Sequence, residues 1–207
     1  MLFRSSCWNH GNAHFLRGVL RELIALGHDV QAYEPEGAWS LENLRKDHGE
    51  EGLQPWRDAY PELSSTSFAP GADLEPMVDG ADLVIVHEWN DPALVAEIGR
   101  LRRSGHDFTL LFHDTHHRAV SDPNAIRAFD LSNYDGVLAF GEALAEVYRR
   151  WGWGDRVVPA GDQGAQDAAQ EVGVAVVPAR QQGVGEDQDP HAAASRRGRA
   201  ARCISRR

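Results

Sequence analysis

Ala81-Asp82-Leu83-Val84-Ile85-Val86-His87 is a compact run centred on three β-branched residues, and the segments on its C-terminal side decide the fold. Asp91 and Pro92 stand where a helix begins, the aspartate as N-cap and the proline in the first turn, and Pro92 to Arg103 reads as that helix. Phe108-Thr109-Leu110-Leu111-Phe112-His113 is a second apolar run of strand length. Tyr134-Asp135-Gly136-Val137-Leu138-Ala139-Phe140 is a third, with a helix from Glu142 to Trp151 behind it. Short, continuous apolar strands separated by helices are the pattern of strands buried on both faces, as in a parallel sheet.

Toward the N-terminus the alternation continues. Phe15, Val19, Leu20, Leu23, Ile24 and Leu26 fall at helical spacing between Ala13 and Leu26, and Gly27 stands where a C-cap belongs. His28 to Tyr33 reads as a short strand closed by Pro35 and Gly37. Leu41 to His48 is a weaker helix and Ser64 to Phe68 a short edge strand. Met1-Leu2-Phe3 leaves little of a first strand, so the natural strand is expected to begin before the recorded start. The fold class expected is α/β, a Rossmann-like parallel sheet with helices on both faces.

Composition divides the 207 residues in two. Every Phe, Tyr and Trp lies before residue 155, Trp153 being the last. From Arg156 to Arg207 the chain is rich in Ala, Gly, Gln, Val and Arg. Such a stretch cannot bury enough apolar area to offset its chain entropy. Residues 1–155 are therefore expected to fold, and residues 156–207 to form a disordered, aberrant or non-homologous tail. Overall the chain is 42% hydrophobic and 25% charged, with a formal charge of −10. That excludes a collagen, a coiled coil and a uniformly basic nucleic-acid binder. Cys7 and Cys203 are too few for a disulfide framework or a CxxC metal site, which fits a reducing cytoplasm. No apolar run is long enough for a membrane span.

Ligands of open parallel sheets bind beyond the carboxyl ends of the strands, and three polar clusters are expected there. The first runs from Ser5 through Trp8, Asn9, His10, Gly11 and Asn12, ahead of the first helix. Its backbone N–H groups suit an anion or a sugar hydroxyl, although with one glycine it is no dinucleotide fingerprint. The second is His87-Glu88-Trp89-Asn90-Asp91, with Glu88 as a hydroxyl holder or base and Trp89 as a surface on which a sugar ring stacks. The third is His113-Asp114-Thr115-His116-His117-Arg118, the densest polar cluster in the chain. There imidazole offers acid–base work, Asp114 orients a histidine and Arg118 meets an anion. A metal centre is the weaker expectation, because adjacent histidines rarely face one ion and no HExxH or CxxC spacing accompanies them.

The order of Trp8-Asn9-His10-Gly11-Asn12-Ala13, Arg17-Gly18-Val19-Leu20, Leu26-Gly27-His28-Asp29-Val30 and Tyr33-Glu34-Pro35 resembles the opening of glycosyltransferases of the GT-B fold. The likeness is to their CgeB-like, spore-maturation-type group, and it extends over about residues 5–155. Phe112 to Arg118 and Asp135 to Glu142 resemble the same group. That resemblance implies two Rossmann-like domains, the N-terminal one holding the acceptor and the C-terminal one the nucleoside-diphosphate sugar. This sequence shows the first half only; after Gly152-Trp153-Gly154 the likeness stops, as an out-of-frame continuation would make it do.

The function so implied is the acceptor-side half of a sugar transferase, acting on an unknown sugar or glycan acceptor and inactive alone. His113 or His116 would assist proton transfer; Trp8, Asn9, Gly11, Asn12, Glu88, Asp114 and Arg118 would bind substrate. A nucleotide sugar would be the co-substrate, bound only with a second domain, and no other cofactor is implied. On this account imidazoles 113 and 116 open into a crevice at the C-terminal rim of the sheet, and their burial contradicts it. Two alternatives stand beside it: a metal-assisted hydrolase around His113 to His117, and a non-catalytic flavodoxin-like binding module.

Overall fold

The computed structural model describes residues 2–3, 11–37 and 39–160. The expected tail therefore lies outside the described residues, apart from its first five positions. Seven strands are present: β1 (Leu2–Phe3), β2 (Ala32–Pro35), β3 (Ser65–Phe68), β4 (Leu83–His87), β5 (Thr109–Asp114), β6 (Gly136–Phe140) and β7 (Val157–Ala160). They form one sheet in the order β3-β2-β1-β4-β5-β6-β7, with every neighbouring pair parallel. The α/β class with a parallel sheet is thus the observed one. The order reverses between β1 and β4, the Rossmann arrangement and not the flavodoxin-like 2-1-3-4-5.

The helices are α1 (Gly11–Ala25), α2 (Trp39–His48), α3 (Gln54–Ala59), α4 (Glu75–Val78), α5 (Pro92–Arg103), α6 (Arg118–Ser121), α7 (Pro123–Arg127) and α8 (Gly141–Tyr148). Strand alternation assigns them to two faces. On β4, Val84 and Val86 enter one apolar cluster and Ile85 the other; on β5, Leu110 and Phe112 part from Leu111 in the same way. The larger cluster takes Val95 and Ile98 of α5, Ile126 of α7 and Leu144 and Tyr148 of α8. The smaller takes Leu16 and Leu20 of α1. The sheet is therefore covered by helices on both faces, which is why the central strands read as unbroken apolar runs.

Local chemistry accounts for the element ends. The Asp91 carboxylate accepts the Ala93 N–H at 2.8 Å and caps α5, with Pro92 in its first turn. Gly27 closes the end of α1 at φ 89°, a left-handed conformation that costs glycine little. Three expectations shift. The second strand occupies Ala32–Pro35 instead of His28 to Tyr33, because its partners are Leu2–Phe3 on one side and Ser65–Phe68 on the other. The last helix gives way at Tyr148 to a wide π-type turn, Arg149–Trp153. The ordered fold also does not stop at residue 155: Val157–Ala160 pairs with Val137–Phe140 as the seventh strand. Gly136 permits that pairing, since a Cβ there would stand 2.9 Å from the Arg156 carbonyl oxygen.

Candidate functional site

The second and third polar clusters lie side by side because β4 and β5 pair in register, His87 opposite His113. The Glu88 N–H continues the ladder by donating to the His113 carbonyl at 2.9 Å. The chain then leaves the sheet at Trp89 and at Thr115, and the two exits form one rim.

His113 is not on that rim. β5 extends through Asp114, so residue 113 is a strand residue with the same orientation as Leu111, toward the α1 face. Its ring is 0% exposed and packs edge-on against His87 at 5.0 Å. Burial pulls its pKa from the ordinary 6.5 to about 3, so the ring stays neutral and exchanges no proton with a ligand at the surface. The expected catalytic role of His113 is therefore corrected, and with it the expectation that both imidazoles open into one crevice: His113 is a core residue, and of the two only His116 reaches the rim.

Asp114 points the other way and is also fully buried. Its Oδ2 accepts the Tyr148 hydroxyl at 2.6 Å and its Oδ1 accepts the His116 N–H at 3.0 Å. Burial raises its pKa, and the two hydrogen bonds oppose that rise. Burial raises the Tyr148 pKa too, and the Asp114 carboxylate adds to it, so the phenol remains a donor. The expected substrate contact of Asp114 becomes a positioning role: it fixes the backbone that carries His116.

Glu88 is 1% exposed and forms an ion pair with Arg118, whose guanidinium also donates to the Glu88 carbonyl at 3.2 Å. The Thr115 hydroxyl donates to Glu88 Oε1 at 3.4 Å and meets His87 Nε2 at 3.3 Å. His87 Nδ1 accepts the Trp89 N–H at 3.1 Å, which assigns the ring proton to Nε2 and makes that atom the donor to Thr115. A continuous chain results, from the Trp89 backbone through His87 and Thr115 to Glu88 and Arg118. Glu88 thus supports Arg118 from beneath instead of facing a ligand directly.

Three side chains of these clusters bring chemistry to the surface. Trp89 is 41% exposed. The Arg118 guanidinium lies 4.7 Å from the Trp89 ring centre, and the half-buried His116 meets the indole edge-on at 5.5 Å. Partial burial lowers the Arg118 pKa from its ordinary value, leaving a cation on the rim. His117 packs its ring against His116 at 4.1 Å, with its Nδ1 2.8 Å from the Ser121 hydroxyl oxygen. Arg118 covers one face of the indole and His116 meets it edge-on, so it is the remaining exposed part of the Trp89 ring that can stack on a flat or sugar-like ring, with N–H donors beside it for hydroxyls.

Of the first cluster, Trp8 and Asn9 lie outside the described residues. Gly11 and Asn12 form the first turn of α1, the helix that follows β1 in the chain, and the strand order reverses between β1 and β4. The hydrolase alternative finds no support in the geometry: among the described residues no three His, Cys, Asp or Glu side chains converge as metal ligands would. The layer that supports the rim was missed in the sequence. Thr115 lies within the third cluster but had no assigned part, and Tyr148 carries no local signal. Glu34, one residue before the end of β2, is 2% exposed, a charged residue near the carboxyl end of a strand that sequence position alone marks for attention. No protein-family model, curated protein or solved structure matches the chain. No helix among the described residues is long and apolar enough to cross a membrane.

Proposed function

We propose that the rim formed by Trp89, His116 and Arg118 binds the sugar or glycan acceptor of a glycosyl transfer, and that residues 2–160 are the acceptor-side half of a GT-B-type transferase. The observation that carries this reading is the exposed Trp89 indole with a guanidinium and an imidazole against it, at the C-terminal rim of a sheet of Rossmann order. The resemblance of residues 5–155 to the CgeB-like group agrees with it. In the complete reaction an acceptor hydroxyl attacks the anomeric carbon of a nucleoside-diphosphate sugar. The new C–O bond forms as the bond to the diphosphate breaks, and His116 takes the hydroxyl proton. Asn9, Gly11 and Asn12 are assigned to the donor phosphates at the start of α1, and Trp8 to the substrate beside them. The chain works in a reducing cytoplasm.

In the enzymes it resembles, a second domain supplies most of the donor site, and catalysis needs both substrates in one geometry. Residues 2–160 taken by themselves therefore bind acceptor and do not turn over. Calorimetric titration with a panel of glycans and a panel of nucleotide sugars tests this. Weak but saturable glycan binding with much weaker nucleotide-sugar binding is the expected result. Tight nucleotide-sugar binding with no glycan response contradicts it.

A further inference from the structure

A second concave site lies away from the rim. It is a cleft of about 350 Å³ walled by Phe129, Tyr148, Trp151 and Trp153 and bordered by Arg127 and Arg150. Its shape comes from the π-type turn Arg149–Trp153. Gly152 sits there at φ 94°, a conformation that reverses the chain between the two tryptophans and places both on one cleft. π-type turns within helices recur at functional sites.

Cationic side chains gather at this cleft although the chain as a whole is acidic. The protein carries a formal charge of −10, yet three arginines gather here. The Arg127 guanidinium lies 4.9 Å from the Trp151 ring centre and that of Arg156 4.5 Å from Trp153. Among the described residues neither Arg127 nor Arg156 forms an ion pair. Arg150 reaches the Glu146 carboxylate only at 4.0 Å. Asp122, Asp130, Glu142 and Asp155 are further carboxylates on the adjoining segments, all exposed, and Glu142 is paired with Arg149. Stacking against indole holds a guanidinium in place while leaving its N–H donors for a planar anion.

We propose that this cleft binds a planar aromatic acid, a one- or two-ring compound with a carboxylate, whose ring lies against Trp151 and Trp153, above the buried Tyr148, and whose anionic group meets Arg127. The volume is that of a small-ligand site, and the lining combines four aromatic and two aliphatic residues with two arginines, apolar walls with a few placed charges. Nothing in this inference depends on sugar transfer at the rim.

The test uses the full chain and follows the indole N–H resonances of Trp151 and Trp153, identified through Trp151→Phe and Trp153→Phe. The probes are naphthoate, its neutral counterpart naphthalenemethanol, and acetate. Naphthoate should shift both resonances saturably, the alcohol should bind about tenfold more weakly, and acetate should shift neither. Arg127→Met, at an exposed position where the fold is retained, should weaken naphthoate about tenfold and leave the alcohol unchanged. Equal affinity for acid and alcohol, naphthoate affinity indifferent to Arg127→Met, or shifts confined to other tryptophans would each overturn the proposal.

Discussion

The Tyr148 hydroxyl donates to Asp114 Oδ2 across 2.6 Å inside the protein, joining the end of α8 to the end of β5. The other oxygen of the same carboxylate holds the His116 N–H. A residue that lines the aromatic cleft thereby fixes the backbone of a residue on the rim. The rim loop is held from below by a buried acceptor with two donors, and its geometry is set before any ligand arrives.

Tyr148→Phe removes one of those donors and leaves a buried carboxylate oxygen unsatisfied. The expected loss is about 1–3 kcal/mol of stability, measured by urea unfolding at neutral pH. A variant as stable as the parent would mean that the bond contributes nothing net.

Burial of neutral His113 makes stability depend on pH with a defined sign. Its folded pKa, about 3, lies below the ordinary 6.5. The unfolded chain therefore binds a proton that the folded one refuses, and stability present above about pH 6.5 is lost as pH falls toward 3. The upper limit of that loss is about 5 kcal/mol. Asp114, whose pKa is raised, acts in the opposite sense, its contribution being lost as pH rises through the folded value. In His113→Gln the acid-side loss should shrink, leaving the Asp114 trend visible in unfolding midpoints across that range. An unchanged pH profile would place the ring in solvent.

Glu88 and Arg118 should be coupled. Arg118→Met leaves the nearly inaccessible Glu88 carboxylate without its cation, and because the guanidinium is itself 28% exposed the cost is discounted to about 2 kcal/mol. Glu88→Gln in the same background should restore part of that loss. Additive effects of the two substitutions in a double-mutant cycle would show that the pair is not energetically joined.

Gly136→Ala tests the seventh strand. The added methyl would stand 2.9 Å from the Arg156 carbonyl oxygen and 3.1 Å from a Leu111 methyl. Neither β6 nor β7 can yield without disturbing the ladder, so a loss of about 1–3 kcal/mol is expected in thermal or urea unfolding. A neutral substitution would mean that Val157–Ala160 does not pair as described.

The legible part of the fold was the part specified locally. Val84, Ile85 and Val86 announce a strand buried on both faces, and Asp91-Pro92 announces a helix start, because each signal sits in adjacent residues. What was not legible depends on distant partners. β2 takes its register from Leu2–Phe3 and Ser65–Phe68. β7 is four residues with a proline, recognisable only beside β6. The site suffered from the same limit. A strand ending at residue 114 turns His113 inward, and a change of one residue in such a strand moves a side chain to the opposite face. The polar cluster was visible; which of its members reach the surface was not.

The most direct test of sugar binding at the rim is the affinity of the full chain for its best glycan, compared with that of Trp89→Ala. Trp89 is 41% exposed, and the unfolding of the variant is measured beside its affinity so that lost packing is separated from lost binding. The glycan affinity should fall at least about tenfold, as the loss of a stacking aromatic implies. Unchanged glycan affinity in a folded Trp89→Ala protein would contradict the account.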